Sequence, residues 1–364
     1  MSRNVTIGST RTAVALTFAA AVFLSAAWLT LPGCGGGAGP GSIAAAVGSY
    51  GDVAVLVSNP AYGRTFPDIL ERVLPRERFV LHEEPVYRTS FFSGKEWRKG
   101  RNFRNLLLLV RWGDGGPVQD LAARLVSADT RRRLLAAGGG VVTRHDPLFK
   151  RQLAVVVLAP TAKRLREVVE QQGAALADTL ARDIRRRIVA DHRDQGLLTA
   201  SMAKAARECG FTLEIPATWR ENQFRPDGYP GVEWLWLEGA TRGITVAWRP
   251  LPDPAAALDD TATLLDLRRD LGHTLHHEEL VPSSLRWGRE RVAERPAVRL
   301  AGDWRSNRVS VGGPFRSYFV VDPDQGRLYC LDLLVYAPNR EKMDDFRRLR
   351  AILETFRTGD DRAP

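Results

Sequence analysis

The sequence predicts an α+β fold in two halves, each a mainly antiparallel sheet covered by helices, and three observations carry the prediction. Short runs that are apolar throughout recur in the first half between stretches of helical periodicity. At Gly210 the texture changes to alternating strands rich in aromatic residues. The chain then closes on an amphipathic helix, which covers a sheet face that would otherwise meet water.

The folded region opens with Asp52-Val53-Ala54-Val55-Leu56-Val57, a β-branched run stopped by Asn59-Pro60, which reads as a buried strand. Residues 66–74 have helical spacing and end at Pro75. Residues 78–82 read as a second strand, followed by a polar, aromatic connection through Phe91, Phe92 and Trp97. The stretch from Arg104 to Val110 is apolar on both faces and is expected as a central strand. Residues 118–135 read as largely helical up to Gly138-Gly139-Gly140, with strands over 141–143 and 153–158. Thr161 is placed to cap the longest helix. Its Leu165, Val169, Leu176, Leu180, Ile184 and Ile188 form one stripe to about residue 191, with Arg and Asp expected in water. A further helical piece covers 197–208.

In the second half, 211–216 reads as a strand, and Trp234 and Trp236 share one face of a strand over 232–237. Ile244, Val246 and Trp248 repeat that alternation, and 259–271 is helical. Strands are expected over 297–304, 315–321 and 327–336. The last two are joined by Asp322-Pro323-Asp324-Gln325-Gly326, the signal of an antiparallel hairpin. A helix over 340–357 puts Phe346, Leu349, Ile352, Leu353 and Phe356 on one face.

Ahead of the folded part, Arg3 and Arg11 precede an uncharged run from Thr12 to Leu31, which ends at Leu31-Pro32-Gly33-Cys34. A charged start, an apolar middle and a small residue before cysteine resemble the signal peptide and lipobox of bacterial lipoproteins. An uncleaved transmembrane helix is the competing reading. The Ala- and Thr-rich composition and the helix-breaking Gly35-Gly36-Gly37-Ala38-Gly39-Pro40-Gly41 favour the signal. The expected organisation is therefore a signal peptide over 1–33, a Gly-rich tether over 34–49 that starts at lipid-bearing Cys34, and α+β halves over 50–209 and 210–360. Gly35 is not the aspartate that retains some lipoproteins in the inner membrane. The outer membrane, facing the periplasm, is thus the favoured location.

The 364 residues carry a net charge of +10, and removal of Arg3 and Arg11 with the signal lowers it to +8. In an exported protein that excess points away from nucleic acid and toward anionic lipid, acidic glycan or an envelope protein. A solvated Arg-rich surface, including Arg131-Arg132-Arg133 and Arg185-Arg186-Arg187, is the plainer account. Cys209 and Cys330 are left either to pair in the oxidising envelope or to stay as buried thiols.

Arg104-Asn105-Leu106-Leu107, Phe211 with Ile215-Pro216, Glu233-Trp234-Leu235-Trp236, Arg269-Asp270, Gly312-Gly313-Pro314-Phe315, Tyr336-Ala337-Pro338 and Lys342 occur in this order. Together they resemble the family catalogued as domain of unknown function 4837, over nearly the whole mature chain. The resemblance implies an exported envelope lipoprotein and supplies no catalytic residues, because the family's activity is unassigned. The second half is also similar to the Mog1/PsbP-like α+β fold, which implies binding or assembly roles.

Four groups are candidate sites. His273, His276, His277 and Glu278 offer zinc ligands at roughly one helix turn, although Gly272 and the dipole of a helix end explain histidines there equally. Gly312 and Gly313, with Arg305, Arg308 and Arg316, suggest a backbone nest for an anion, or glycines that only permit a sharp chain entry. Trp234, Trp236, Trp248 and Trp304, with Trp287 nearby, suggest an aromatic groove for a sugar ring or apolar chain, or an aromatic core. Asp303, Ser283 and Ser284 lack the partners of a nucleophile, and no phosphate-cradling or dinucleotide motif implies a cofactor. The expectation is a lipid-anchored, non-enzymatic binding or assembly module. The alternative is a metal-dependent or other hydrolase acting on envelope glycan or lipid through the histidine cluster.

Overall fold

Strands that are apolar on both faces need cover on both faces, and the first half is built around that requirement. The computed structural model describes residues 44–78, 83–224, 233–238, 241–251, 254–273 and 277–359. Along the first half run β1 (Asp52–Val57), α1 (Tyr62–Thr65), α2 (Pro67–Val73), β2 (Arg76–Arg78), β3 (Glu83–Pro85), β4 (Arg88–Ser93), α3 (Trp97–Gly100) and β5 (Asn105–Arg111). They are followed by α4 (Gly116–Leu125), α5 (Ala128–Ala136), β6 (Gly140–His145), β7 (Leu153–Ala159), α6 (Ala162–Gln195) and α7 (Thr199–Cys209). The sheet order is β4-β1-β5-β7-β6.

In this sheet β4, β1, β5 and β7 are parallel and only β6 is antiparallel, which corrects the expectation of a mainly antiparallel first sheet. The reason lies in what separates the strands. Helical segments long enough for a crossover return the chain to the starting edge, where a short turn would have made a hairpin. Tyr62, Phe66, Ile69 and Leu70 cover one face with the apolar stripe of α6, while Val118, Leu121 and Ala122 of α4 cover the other. The expected helix over 118–135 is two helices, because Ser127 breaks it and caps α5 by accepting the Thr130 N–H. The expected connection at Phe91 and Phe92 is instead the edge strand β4. Of the strand expected over 78–82, residues 79–82 lie outside the described residues.

The second half holds β8 (Phe211–Thr212), β9 (Arg220–Phe224), β10 (Glu233–Glu238), β11 (Arg242–Pro250), α8 (Pro254–Ala257), α9 (Thr261–Leu271), β12 (Glu278–Leu280) and β13 (Arg286–Val292). After them come β14 (Arg295–Ser306), β15 (Gly312–Asp322), β16 (Arg327–Val335), α10 (Met343–Leu353) and β17 (Arg357–Thr358). Its main sheet has the order β12-β14-β15-β16-β11-β10-β9, with β13 also on β14, and every pairing is antiparallel. The hairpin at Asp322–Gly326 forms as the turn residues require, with Asp322 paired to Arg327. The segment expected as a strand over 211–216 pairs with β17 through Phe211 and Thr212, and Pro216 makes an isolated antiparallel bridge with Leu197.

Phe346, Leu349, Ile352, Leu353 and Phe356 pack α10 and the chain beyond it onto one face of this sheet; Leu264, Leu267 and Leu271 pack α9 onto the other. Ala351 of α10 also enters the core beneath the first sheet, and α10 lies against α6. Residues Ile43–Pro364 accordingly form one compact unit, and the expected signal peptide and Cys34 lie outside the described residues. The expected tether ends before residue 49: Ala46 donates to Lys150 O at 2.9 Å and Val47 to Asn102 O at 2.8 Å, so 44–47 dock on the first half. No helix among the described residues is long and apolar enough to cross a membrane.

Candidate binding cleft at the junction of the two sheets

The junction is organised by the last third of α6, a helix of 34 residues and so about 50 Å long. Asp183, Arg187 and Asp191 recur every four residues beside the apolar Leu180, Ile184 and Ile188, so they are drawn under the first sheet rather than into water. Here the expectation that the charged residues of this helix are solvated fails. Arg187 is 4% exposed; its Nε meets Asp183 at 2.6 Å, and its Nη1 donates to the carbonyls of Arg104 and Arg151 at 3.1 Å each. It also donates to the side chain of Asn105, which in turn donates to the carbonyls of Tyr50 and Asp52. Burial pulls the Arg187 guanidinium below its ordinary proton affinity, and the neighbouring Asp183 opposes that shift. This polar layer satisfies the backbone where β1, β5 and β7 begin.

One turn further, the same helix opens onto a cleft of about 310 Å³. Gly48, Ser49 and Tyr50 line one wall, and Arg104 stands ahead of β5. Asp191, His192 and Gln195 come from α6, and Asp344 and Arg348 from α10. Asp191 accepts from the Tyr50 hydroxyl and pairs with Arg104 at 3.5 Å and with Arg151. The Arg104 guanidinium lies 4.8 Å from the centre of the Tyr50 ring and that of Arg348 lies 5.8 Å away. His192 is 8% exposed. Burial first, then the positive charges of Arg348 and Arg242, push its imidazole down to about 4, so it is neutral at physiological pH.

Two crossings hold the walls of the cleft together. Arg88 of β4 donates to Asp52 at 2.8 Å, to Asp344 at 3.2 Å and to Glu341. Glu84 of β3, 2% exposed, accepts the backbone N–H groups of Lys342 and Met343 at 2.8 and 3.0 Å. A carboxylate from the first half thus caps the N-terminus of α10 in the second, where it also meets the favourable end of the helix dipole. The β2–β3 hairpin continues across the second sheet, with Glu77 paired to Arg316 at 3.1 Å and to Arg299 at 3.6 Å.

The structure places the sequence candidates differently. Arg316 is buried against Glu77 and lies 4.3 Å from the Phe346 ring centre, whereas Arg308 is exposed and Arg305 is spent on Glu279 at 2.9 Å. Gly312 and Gly313 lie in extended β15, not in a nest. A Cβ at these positions would stand 2.6 Å from the Trp304 carbonyl oxygen and 2.3 Å from that of Val335, so close backbone approach accounts for both glycines. Trp248 packs with Phe211 and Tyr329 on the α10 face of the sheet, and Trp304 packs on the α9 face, so these two do not share a groove. The side chains of Trp234 and Trp236 lie outside the described residues, and Trp287 is 38% exposed beside Phe319.

His276 likewise lies outside the described residues, His273 is exposed, and Glu278 turns inward to Arg268 at 3.1 Å, away from any ligand role with them. No group of three or more metal-ligating side chains occurs among the described residues. Cys209 and Cys330 are thiols, not a disulfide, and both are buried. They sit in the cores on opposite faces of the second sheet, which stands between them.

Sequence reasoning passed over a buried ionic group behind that sheet. Arg268, with no exposed surface, meets Asp332 at 2.9 Å and Glu278 at 3.1 Å and lies 4.6 Å from the Phe315 ring centre. Asp332 also accepts the Ser317 hydroxyl at 2.5 Å. Burial raises the Glu278 carboxyl to about 7, against the lowering effect of Arg268, because two acids share one cation. The available signal was positional: Arg268 falls on the apolar side of α9, one residue from Leu267, and Asp332 interrupts an apolar strand.

Residues 274–355 match the model of a family described as domain of unknown function (DUF4837), the family the sequence resembles. The matched span lies wholly in the second half, narrower than the near full-length resemblance expected. Among solved structures, the solution structure of cyanobacterial PsbP from Synechocystis sp. PCC 6803 is similar, with 16% identity and a TM-score of 0.30, over 41% of this chain and 87% of that one. A Mog1 mutant is similar with 9% identity and a TM-score of 0.26, over 41% of this chain and 90% of the other. No curated protein matches.

Proposed function

We propose that this chain is a bacterial envelope protein, held to a membrane by lipid on Cys34, that works as a binding module rather than an enzyme. Leu31-Pro32-Gly33-Cys34 after an uncharged run supports the anchor, and several acyl chains on one residue give firm membrane residence. The observation that carries the binding role is the chemistry of the junction cleft. It presents a guanidinium, a neutral imidazole and a phenol already donating to a carboxylate. These groups supply hydrogen-bond donors and a positive charge to a ligand from several walls, which supports recognition.

Cell fractionation tests the anchor: the native chain pellets with membranes and Cys34→Ala is released, whereas equal membrane retention of both rejects it. Crosslinking in intact cells followed by mass spectrometry tests the module. A stoichiometric envelope partner crosslinked at the junction supports the binding role, and turnover of an envelope glycan or lipid by the purified chain overturns it.

A further inference from the structure

The junction cleft has a charge pattern that specifies a ligand class, an inference that rests on the chain being a binding module. We infer that the cleft binds a small phosphate ester, with the Arg348 guanidinium and the His192 ring N–H as its principal donors. Nearby acids are committed: Asp191 to Tyr50, Arg104 and Arg151, and Asp344 to Arg88 and Arg347. Arg348 makes no ion pair among the described residues; it lies over the face of Tyr50 and beside the neutral His192. A positive charge is therefore left over in a concave space, where it is worth more than on an open surface.

His192 is more than nine-tenths buried, lines the same cleft and makes no hydrogen bond among the described residues. Its ring nitrogens are not among the buried unpartnered atoms, so they meet the open cleft, where a ligand oxygen can take the place of solvent. The donors come from separate segments: Ser49 before β1, Arg104 before β5, His192 and Gln195 on α6, and Arg348 on α10. A planar carboxylate uses one guanidinium fork, whereas a tetrahedral phosphoryl group directs oxygens at several walls. The C-terminal end of α6 opposes an anion, and the Arg348 charge from α10 stands against it. At about 310 Å³ the cleft holds roughly ten waters' worth of volume, more than phosphate alone fills. The ligand thus carries a small polar body, as glycerol phosphate does, either free or as the headgroup of an anionic phospholipid.

The test uses the full-length lipidated chain in mild detergent, titrated calorimetrically with glycerol 3-phosphate, with dihexanoyl phosphatidylglycerol and with dihexanoyl phosphatidylcholine. Saturable binding of either anionic probe, weakened at least tenfold by Arg348→Gln and by His192→Phe but not by Arg132→Gln on exposed α5, is expected. Glycerol 3-phosphate binding places the source among free esters; binding of phosphatidylglycerol alone places it among lipid headgroups. The inference is overturned if neither anionic probe saturates, if phosphatidylcholine binds equally, or if Arg348→Gln binds as the native chain does. Melting curves establish that the variants fold, and Arg348→Lys, which keeps the charge and loses the fork, gives an intermediate loss if Arg348→Gln does not fold. Cys34-dependent fractionation is independent of the cleft, so failure here and failure of the anchor are distinguishable.

Discussion

His192 ties the stability of the junction to pH with a sign and size that follow from its surroundings. Its imidazole is pushed from 6.5 to about 4, by burial first and then by Arg348 and Arg242. Below the unfolded value the unfolded chain takes up a proton that the native state refuses. Stability is therefore complete above about pH 6.5, lost as pH falls through the window to about 4, and not lost further below it. At about pH 5 the difference amounts to ~2 kcal/mol, and solvent reaching the open side of the cleft trims it to ~1–2 kcal/mol. Glu278 acts the opposite way: its burial raises the carboxyl from 4.5 to about 7, so its contribution is lost as pH rises through that window. The two act in opposite directions over overlapping windows, so the native chain's own pH profile isolates neither. The diagnostic quantity is the difference between the native chain and His192→Gln in urea unfolding at about pH 7.5 and about pH 5. The variant is expected to gain ~1–2 kcal/mol on the native chain between the two pH values. Parallel profiles refute the account of His192 as an imidazole held neutral by burial.

Arg268→Met leaves Glu278 and Asp332 buried without their cation and is expected to cost ~3–5 kcal/mol, read as a lower urea midpoint. Adding Glu278→Gln and Asp332→Asn to it restores most of that loss, and a silent single variant rejects the buried network. Glu84→Ala removes the cap on α10 and is expected to cost ~1–2 kcal/mol, with faster amide exchange at Lys342 and Met343 as its local signature. Gly173→Ala sets about 1 kcal/mol of helix propensity against a Cβ built 2.4 Å from that of Val73, where α6 crosses α2. Overpacking of this kind costs ~1–3 kcal/mol, so the melting temperature falls; a rise shows that Val73 has room to move.

The elements themselves were legible because they are local. Periodicity marked β1, β5, β7, α6, α9 and α10, and the Asp322–Gly326 turn marked its hairpin, since each rests on residues that touch within a few positions. The short pieces were not legible. β8 keeps only Phe211 and Thr212 because its partner, β17, stands at the far end of the chain. The same holds for the candidate sites: Arg305, Arg308 and Arg316 are close in sequence, yet the pairing of β14 with β15 commits each to different surroundings.

The sequence by itself determined the α+β class and the apolar faces of its strands and helices, because composition and spacing act along the chain. Only the tertiary structure decided the parallel pairing of the first sheet, the separation of Cys209 from Cys330 and the burial of Asp183, Arg187, Asp191 and Arg268. Tyr50 meets Asp191 across 141 positions, and Glu84 meets Met343 across 259. A charge enters the interior only where such a remote partner offsets its desolvation, and no local pattern records which partner that will be.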